Sequence, residues 1–112
     1  MTVVIRLYTG SDGQSHLQEV PDAFGSPGAP DAEALQPAKG IILLRSTITL
    51  DWHTAPRRQY VITLQGASEI EVGDGSKRRF NPGDVLLAED TTGQGHLTRV
   101  FGDRIIAVIP LA

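Results

Sequence analysis

The sequence predicts an all-β protein, and three observations support this class. Short runs of β-branched and apolar residues, such as residues 60 to 64 and 85 to 87, recur along the chain and are bounded by glycine or proline. Turn signals such as Asp74-Gly75 separate neighbouring runs. No stretch has both the length and the apolar period of an amphipathic helix. A chain of about eight short strands without a long helix predicts a sandwich or a closed barrel.

Length and composition predict a single domain and exclude several classes of protein. The chain has 112 residues, a net charge of -3 and no cysteine. One core uses nearly all of such a length, and no basic surface is available for nucleic acid. Neither disulfides nor thiolate chemistry are possible. The first residues lack a signal-peptide pattern and no apolar segment reaches membrane-spanning length, so we expect a cytoplasmic protein with no membrane partner.

The strands can be placed in chain order from apolar runs and turn residues. Residues 2 to 8 are rich in β-branched side chains, and residues 41 to 52 pass from a continuous apolar run into alternation. The remaining predicted strands are residues 58 to 64, 68 to 72, 77 to 80, 85 to 89, 96 to 101 and 104 to 109. Tight turns at Gly73-Asp74-Gly75 and Gly102-Asp103 predict that the strands on either side are hairpin partners.

The segment from residue 21 to residue 40 differs in composition from the rest of the chain. It contains four prolines and three glycines, which exclude a continuous helix or a central strand. Phe24 and Leu35 are its large apolar residues, so we expect an ordered covering arm that they anchor. The chain therefore divides into residues 1–39, an N-terminal strand with the arm, and residues 40–112, the barrel core.

The stretch that begins at Trp52 resembles the first motif of the cupin superfamily. That motif runs from a histidine pair, H-x-H, through a glutamate to a glycine. Here His53 stands at the first histidine, Ala55 at the second, Gln59 at the glutamate and Gly66 at the closing glycine. The first motif is thus present with two of its metal-ligand positions changed.

The second cupin motif opens at Pro82-Gly83-Asp84 and ends on a histidine, which corresponds to His96. Val100 stands where the family has an asparagine. The resemblance covers residues 40 to 110 and implies a single-domain cupin, a double-stranded β-helix or jelly-roll barrel. It further implies that His53, Gln59 and His96 face the inside of the barrel and carry the catalytic chemistry.

The motif changes bear on whether the site holds a metal. Zinc and iron sites normally use three or more imidazole or carboxylate donors. His53 and His96 are good ligands and neutral Gln59 is a weak one, while His16 could supply a third imidazole. A divalent zinc, iron, manganese or nickel ion held by these four residues is therefore one alternative, and a metal-free site is the alternative we favour. His16 itself is either a pocket residue or a histidine of an exposed loop or edge strand.

Residues around the motif histidines are candidates for substrate binding. Asp90, Glu89 or Asp51 could orient His96 as an acid/base pair. Arg57 or Arg58 could bind a substrate carboxylate through the planar guanidinium. Trp52 and Tyr60 could contact substrate, although packing is the alternative for both. An exposed strand entry is likewise the alternative for the arginine pair, and a hydrogen-bonded loop is the alternative for Asp90.

Two functions from different classes agree with these residues. The first is a small enzyme of isomerase or lyase type that transfers protons on a compact carbonyl or carboxylate compound; a metal-dependent oxygenase is less favoured. The second is a non-catalytic cupin that binds or senses a small molecule. In either case we expect a homodimer, because residues 3 to 5 and 41 to 44 are apolar on both faces of their strands.

Overall fold

The computed structural model describes residues 3–21, 23–24 and 35–112, and in these residues the chain forms strands without any helix. The all-β prediction is therefore confirmed, and the described residues contain no helix that could cross a membrane. The strands are β1 (Val4–Thr9), β2 (Ser15–Val20), β3 (Ile42–Arg45), β4 (Leu50–His53), β5 (Gln59–Glu71), β6 (Lys77–Phe80), β7 (Val85–Ala88) and β8 (His96–Pro110).

The strands form one mixed sheet whose pairing order is β2-β1-β7-β5-β8-β3, with β4 also on β8 and β6 also on β5. The β1 and β7 strands are parallel, and the other pairs are antiparallel. The path of pairing is open in the described residues, so it does not show the closed barrel of the sequence prediction. Because β5 and β8 each change partners along their length, the arrangement is compatible with a β-sandwich or jelly roll.

The sequence prediction of strand breaks at two places is wrong, because the long strands β5 and β8 continue through them. Gly102-Asp103 was expected to be a hairpin turn, and residues 65 to 67 a break between strands. Instead β5 and β8 pair over their whole length, with register shifts around Gln65. Gly66 and Gly102 have φ values of 71° and 72°. These glycines allow bulges that bend a continuous strand, where a turn would have ended it.

Other predicted boundaries also change. The run from residue 41 to residue 52 forms two strands, β3 and β4, and β2 follows a turn in which Gly13 has φ of 76°. The hairpin at Asp74-Gly75 is confirmed, because Glu71 on β5 pairs with Lys77 on β6. Of the two predicted tight turns, the one at residues 73 to 75 is therefore confirmed and the one at Gly102-Asp103 is wrong.

The core lies on both faces of β1. Ile5 and Leu7 join the larger apolar cluster with residues such as Ile70 and Phe80, and Val4 joins a smaller one. Val4 and Ile5 are each only 4% exposed. Both faces of β1 are thus covered within the chain, and this strand needs no second subunit to bury it.

The expected anchors of the proline-rich arm are exposed. Phe24 is 54% exposed and Leu35 is 78% exposed. The prediction that these two side chains fasten the arm to the domain is therefore wrong for this chain, since neither loses most of its contact with water. Residues 22 and 25–34 lie outside the described part of the chain.

Candidate functional site

A largely apolar cavity of about 420 Å³ is lined by residues of β3, β4, β5, β7 and β8 and of the loops beside them. Its volume is in the range of small-molecule sites, roughly 300 to 1,000 Å³. The polar side chains that line it come from the two long strands and from the ends of shorter ones. They are Ser46, His53, Thr54, Gln59, His96, Thr98 and Arg104. Apolar walls with a few convergent polar groups are typical of a binding or catalytic pocket.

Strand pairing brings the two cavity histidines together. In the β4–β8 pair His53 lies opposite His96. The centroids of their rings are 4.4 Å apart and the ring planes are inclined by 54°. Gly95, with φ of 78°, directly precedes β8 and lies against the backbone of His53. A glycine is required there, because a Cβ atom would overlap the His53 carbonyl.

His96 is held by a buried carboxylate. Its Nδ1 atom lies 2.6 Å from Asp90 Oδ2, and the same oxygen accepts a hydrogen bond of 2.6 Å from the Ser15 hydroxyl. Asp90 has no exposed surface, and its Oδ1 atom has no partner among the described residues. Since the carboxylate accepts at Oδ2, the proton of His96 lies on Nδ1, and Nε2 keeps its lone pair.

A backbone carbonyl group determines the tautomer of His53, as Asp90 determines that of His96. Its Nδ1 atom lies 2.7 Å from the carbonyl oxygen of Asp51. A carbonyl oxygen can only accept, so Nδ1 of His53 is the donor and Nε2 again keeps its lone pair. The two neighbouring imidazoles of the cavity can therefore each take up a proton, or accept a hydrogen bond, at Nε2.

Arg57 determines which way the Gln59 amide points. Its guanidinium donates a hydrogen bond of 2.8 Å to Gln59 Oε1. A guanidinium has no acceptor, so the oxygen of the amide must face Arg57 and the NH2 group faces away from it. Gln59 is only 8% exposed and lines the cavity, which makes its NH2 group a donor for a ligand oxygen. Arg57 does not line the cavity itself and acts on it through Gln59.

Arg104 is the cavity residue that the sequence analysis missed. The β8 residues that line the cavity are His96, Thr98, Arg104, Ile106 and Val108, which follow the two-residue period of a strand. Arg104 is 6% exposed. If the two-residue alternation is continued from His96 through Gly102, Arg104 falls on the cavity face. The sequence analysis ended the strand at the predicted Gly102-Asp103 turn and therefore did not apply the alternation to Arg104.

Two predicted substrate-binding residues lie elsewhere. Arg58 forms an ion pair with Glu89, which also receives a 2.6 Å hydrogen bond from Arg6. Burial raises the pKa of Glu89, but the bonds from Arg6 and Arg58 outweigh it and hold that pKa below its ordinary value. Tyr60 donates its hydroxyl to Gln36 and packs on the smaller apolar cluster. Neither residue lines the cavity, because both flank Gln59 and so face away from it.

The structure also separates Trp52 and His16 from the cavity. Trp52 is 39% exposed and does not line the cavity, although it neighbours His53 on β4. His16 lies on β2, where its Nε2 atom is 2.9 Å from Asp12 Oδ2 and its ring packs near Tyr8. His16 is thus a partly exposed histidine of an edge strand, and it does not supply a third imidazole to the cavity.

The side chains of the cavity do not match a conventional metal centre. Among residues 3–21, 23–24 and 35–112 there is no group of three or more His, Cys, Asp or Glu side chains placed to hold a metal ion. His53 and His96 offer two Nε2 atoms, and the Gln59 oxygen is already bonded to Arg57. Zinc and iron sites normally need one donor more.

In comparisons with known proteins, the chain matches no family model and no curated protein sequence.

Proposed function

We propose that the protein is a cupin-like enzyme that transfers a proton on a compact carbonyl or carboxylate compound bound in the cavity. The observation that carries the proposal is the arrangement of His96, with Nδ1 bonded to buried Asp90, beside His53 in an apolar cavity. Histidine exchanges protons near neutral pH, and a buried carboxylate on Nδ1 directs the reactive lone pair to Nε2.

The residues divide the reaction between them. His96 Nε2 takes a proton from the carbon next to the substrate carbonyl. The electron pair of that C–H bond forms a C=C bond, and the π pair of the carbonyl moves onto its oxygen. The Gln59 NH2 group donates a hydrogen bond to this oxygen as its negative charge develops. The proton on His96, directly or after transfer to Nε2 of His53, then returns to a carbon conjugated with the enolate as the carbonyl π bond re-forms, which completes an isomerisation. Expulsion of a leaving group instead of reprotonation would make the same steps an elimination.

The cupin fold is proposed on the motif residues together with the topology. The two long strands, β5 and β8, each pair with different strands at their two ends, as expected when a sheet folds over an internal cavity. His53, Gln59 and His96, which correspond to the family's motif positions, all line that cavity. A closed jelly-roll barrel would require further strand pairing, because the path of pairing is open in the described residues.

Solvent deuterium exchange tests the proposed reaction without knowledge of the substrate. The protein is incubated in D2O with a panel of small 2-oxo acids, 3-oxo acids and neutral ketones, and loss of C–H signal is followed by proton NMR. We expect catalysed exchange for at least one compound, and a decrease of at least about 100-fold in His96→Gln, since general acid–base groups contribute roughly 10² to 10⁴ in rate.

His16→Gln is the matched control, because it makes the same change at a histidine outside the cavity. It should exchange at the wild-type rate. Exchange that survives in both His96→Gln and His53→Gln would contradict the proposed roles. Tight binding of a panel compound without exchange would favour the second candidate function, a non-catalytic module that binds a small molecule.

We also propose that the protein is a homodimer that pairs through β3. All four residues of this edge strand are exposed, and Leu43 is 70% exposed. Leu44 and Leu50 line the cavity and are each 45% exposed, so a second copy over β3 would also close the cavity on that side. An apolar edge strand of this kind is a ready template for association.

Light scattering tests the dimer directly. Wild-type protein at tens of micromolar should give twice the mass of one chain, because even modest interfaces associate at concentrations of this order. Leu43→Lys should shift the protein to the monomer, while Leu64→Lys, at an exposed leucine of β5, should not. A monomeric wild type would contradict the proposal.

A further inference from the structure

Arg104 is a buried cation at the wall of an apolar cavity. It is 6% exposed, and burial lowers the pKa of its guanidinium below the ordinary value. No carboxylate among the described residues forms an ion pair with it. Removing a guanidinium from water without a counter-charge costs several kcal/mol, on the order expected for a buried ion. A protein retains such a group where something else compensates it.

The other arginines show how unusual this environment is within the chain. Those in ion pairs with glutamate or aspartate are Arg6, Arg45, Arg58, Arg78 and Arg99, and each is 38% exposed or more. These side chains are in contact with water, and each is also paired with a carboxylate. Arg57 and Arg79 bond to neutral side chains instead, and both are exposed. Among the described residues, Arg104 is therefore the one arginine that is both buried and without a carboxylate.

The protein satisfies Arg104 only in part. One guanidinium nitrogen lies 3.3 Å from the Ser46 hydroxyl, and Nε has no hydrogen-bond partner among the described residues. A long bond to a neutral hydroxyl does not offset the loss of hydration. The donors of a guanidinium are arranged to bind both oxygens of a planar anion at once, so a bound anion would satisfy what the protein leaves open.

The backbone is shaped to keep Arg104 in place. A Cβ atom at Gly66 would lie 2.8 Å from the Cα atom of Arg104, so only glycine permits this close approach. Gly66 is at the bulge of β5, where the register with β8 shifts. From Arg104 onwards β8 alternates regularly, so Arg104 shares the cavity face with Ile106 and Val108.

We infer that Arg104 is the specificity-determining residue of the cavity and binds the carboxylate group of a small monocarboxylic acid. Among the described lining residues Arg104 is the only one with a permanent charge. A single guanidinium in apolar surroundings balances one negative charge, whereas a phosphate dianion would need further cations or a cradle of backbone N–H groups. The rest of the ligand would then lie against the apolar wall.

The inference extends the proposed function and rests on it for the position of the reacting atoms. A carboxylate bound at Arg104 holds one end of the substrate, and the carbonyl and the acidic C–H group extend towards Gln59 and the histidines. Arg104 therefore replaces Arg57 and Arg58 in the role that the sequence suggested for them. It binds substrate and takes no proton, so its loss should affect affinity more than the intrinsic rate.

Binding of matched carboxylates and amides tests the inference. Butyrate, hexanoate and benzoate are titrated by NMR or calorimetry beside butyramide, hexanamide and benzamide, which have nearly the same shape without the charge. We expect at least one acid to bind about tenfold or more tightly than its amide, since a charged hydrogen bond contributes roughly 1.5 to 3 kcal/mol. Arg104→Met should remove this preference, and Arg78→Met, at an exposed arginine outside the cavity, should retain it.

The unfolding temperatures of the same variants show whether a loss of binding results from a loss of folding. Because Arg104 lacks a counter-ion, Arg104→Met should unfold at the same temperature as the wild type or higher. Equal binding of acids and amides, no binding of any acid at millimolar concentration, or wild-type preference in Arg104→Met would each overturn the inference. Acid binding that depends on Arg104 without any deuterium exchange would overturn only the proposed reaction. Exchange that is equally fast in Arg104→Met would overturn only the role of Arg104.

Discussion

Gly95→Ala should lower the free energy of unfolding by more than about 3 kcal/mol and should separate the two cavity histidines. Two effects add at this position. A left-handed backbone, here with φ of 78°, costs a non-glycine residue roughly 1 to 3 kcal/mol. The new methyl group would also overlap the His53 carbonyl, and this obstacle is backbone that cannot rotate away. Urea unfolding followed by circular dichroism measures the loss.

Gly75→Ala is the control for the first effect alone. Gly75 has φ of 89°, and a Cβ atom there would meet nothing within 4 Å. We therefore expect a loss of about 1 kcal/mol, with unchanged ligand binding. Equal losses for Gly95→Ala and Gly75→Ala would mean that the approach of Gly95 to His53 has no energetic consequence, and the account of how β4 and β8 position the histidines would be wrong.

Asp90→Ala should be the most damaging single change among the cavity's supporting residues. Asp90 is fully buried and accepts hydrogen bonds from both Ser15 and His96. Its loss leaves a hydroxyl and an imidazole buried without their acceptor, and breaking a buried pair costs about 3 to 5 kcal/mol. Asp74→Ala, at an exposed turn carboxylate that accepts from the Ser76 backbone, should cost less than about 1 kcal/mol. Chemical denaturation compares the two.

Asp90→Asn tests whether Asp90 determines the tautomer of His96, separately from its contribution to stability. Its amide NH2 group can donate to Nδ1 of His96, which would move the imidazole proton to Nε2 and abolish the reactive lone pair. Nitrogen-15 NMR of the histidine rings distinguishes the two tautomers. We expect the His96 proton on Nδ1 in the wild type and on Nε2 in Asp90→Asn, with unchanged His16 signals. A proton that stays on Nδ1 would show that Asp90 does not determine the tautomer.

Sequence reasoning can predict the face of a strand on which a side chain lies, because this depends on local rules. The two-residue period of a strand puts Gln59 on the opposite face from Arg58 and Tyr60, and this rule, applied strictly, would have excluded the latter two from the cavity. The resemblance to known motifs supplied what local rules cannot, the meeting of His53 with His96. Both histidines line the cavity in the structure.

The features that were missed depend on distant contacts or on bends within strands. The Ser15 hydroxyl reaches Asp90 from β2, a contact between residues 75 positions apart. Arg104 was lost because Gly102 was interpreted as the end of a strand, while the structure bends there and continues. A glycine at positive φ is compatible with a turn or with a bulge, and only the pairing partner on β5 decides between them.

The position of β8 in the chain has a consequence for how the protein is made. β8 follows all of its partners, β3, β4 and β5, in the sequence. During synthesis at about 5 to 20 residues per second, these strands leave the ribosome seconds before the strand that joins them. Their unpaired edges are then open to other nascent chains, so yield in the cell should depend on chaperones and temperature more than the stability of the finished protein suggests.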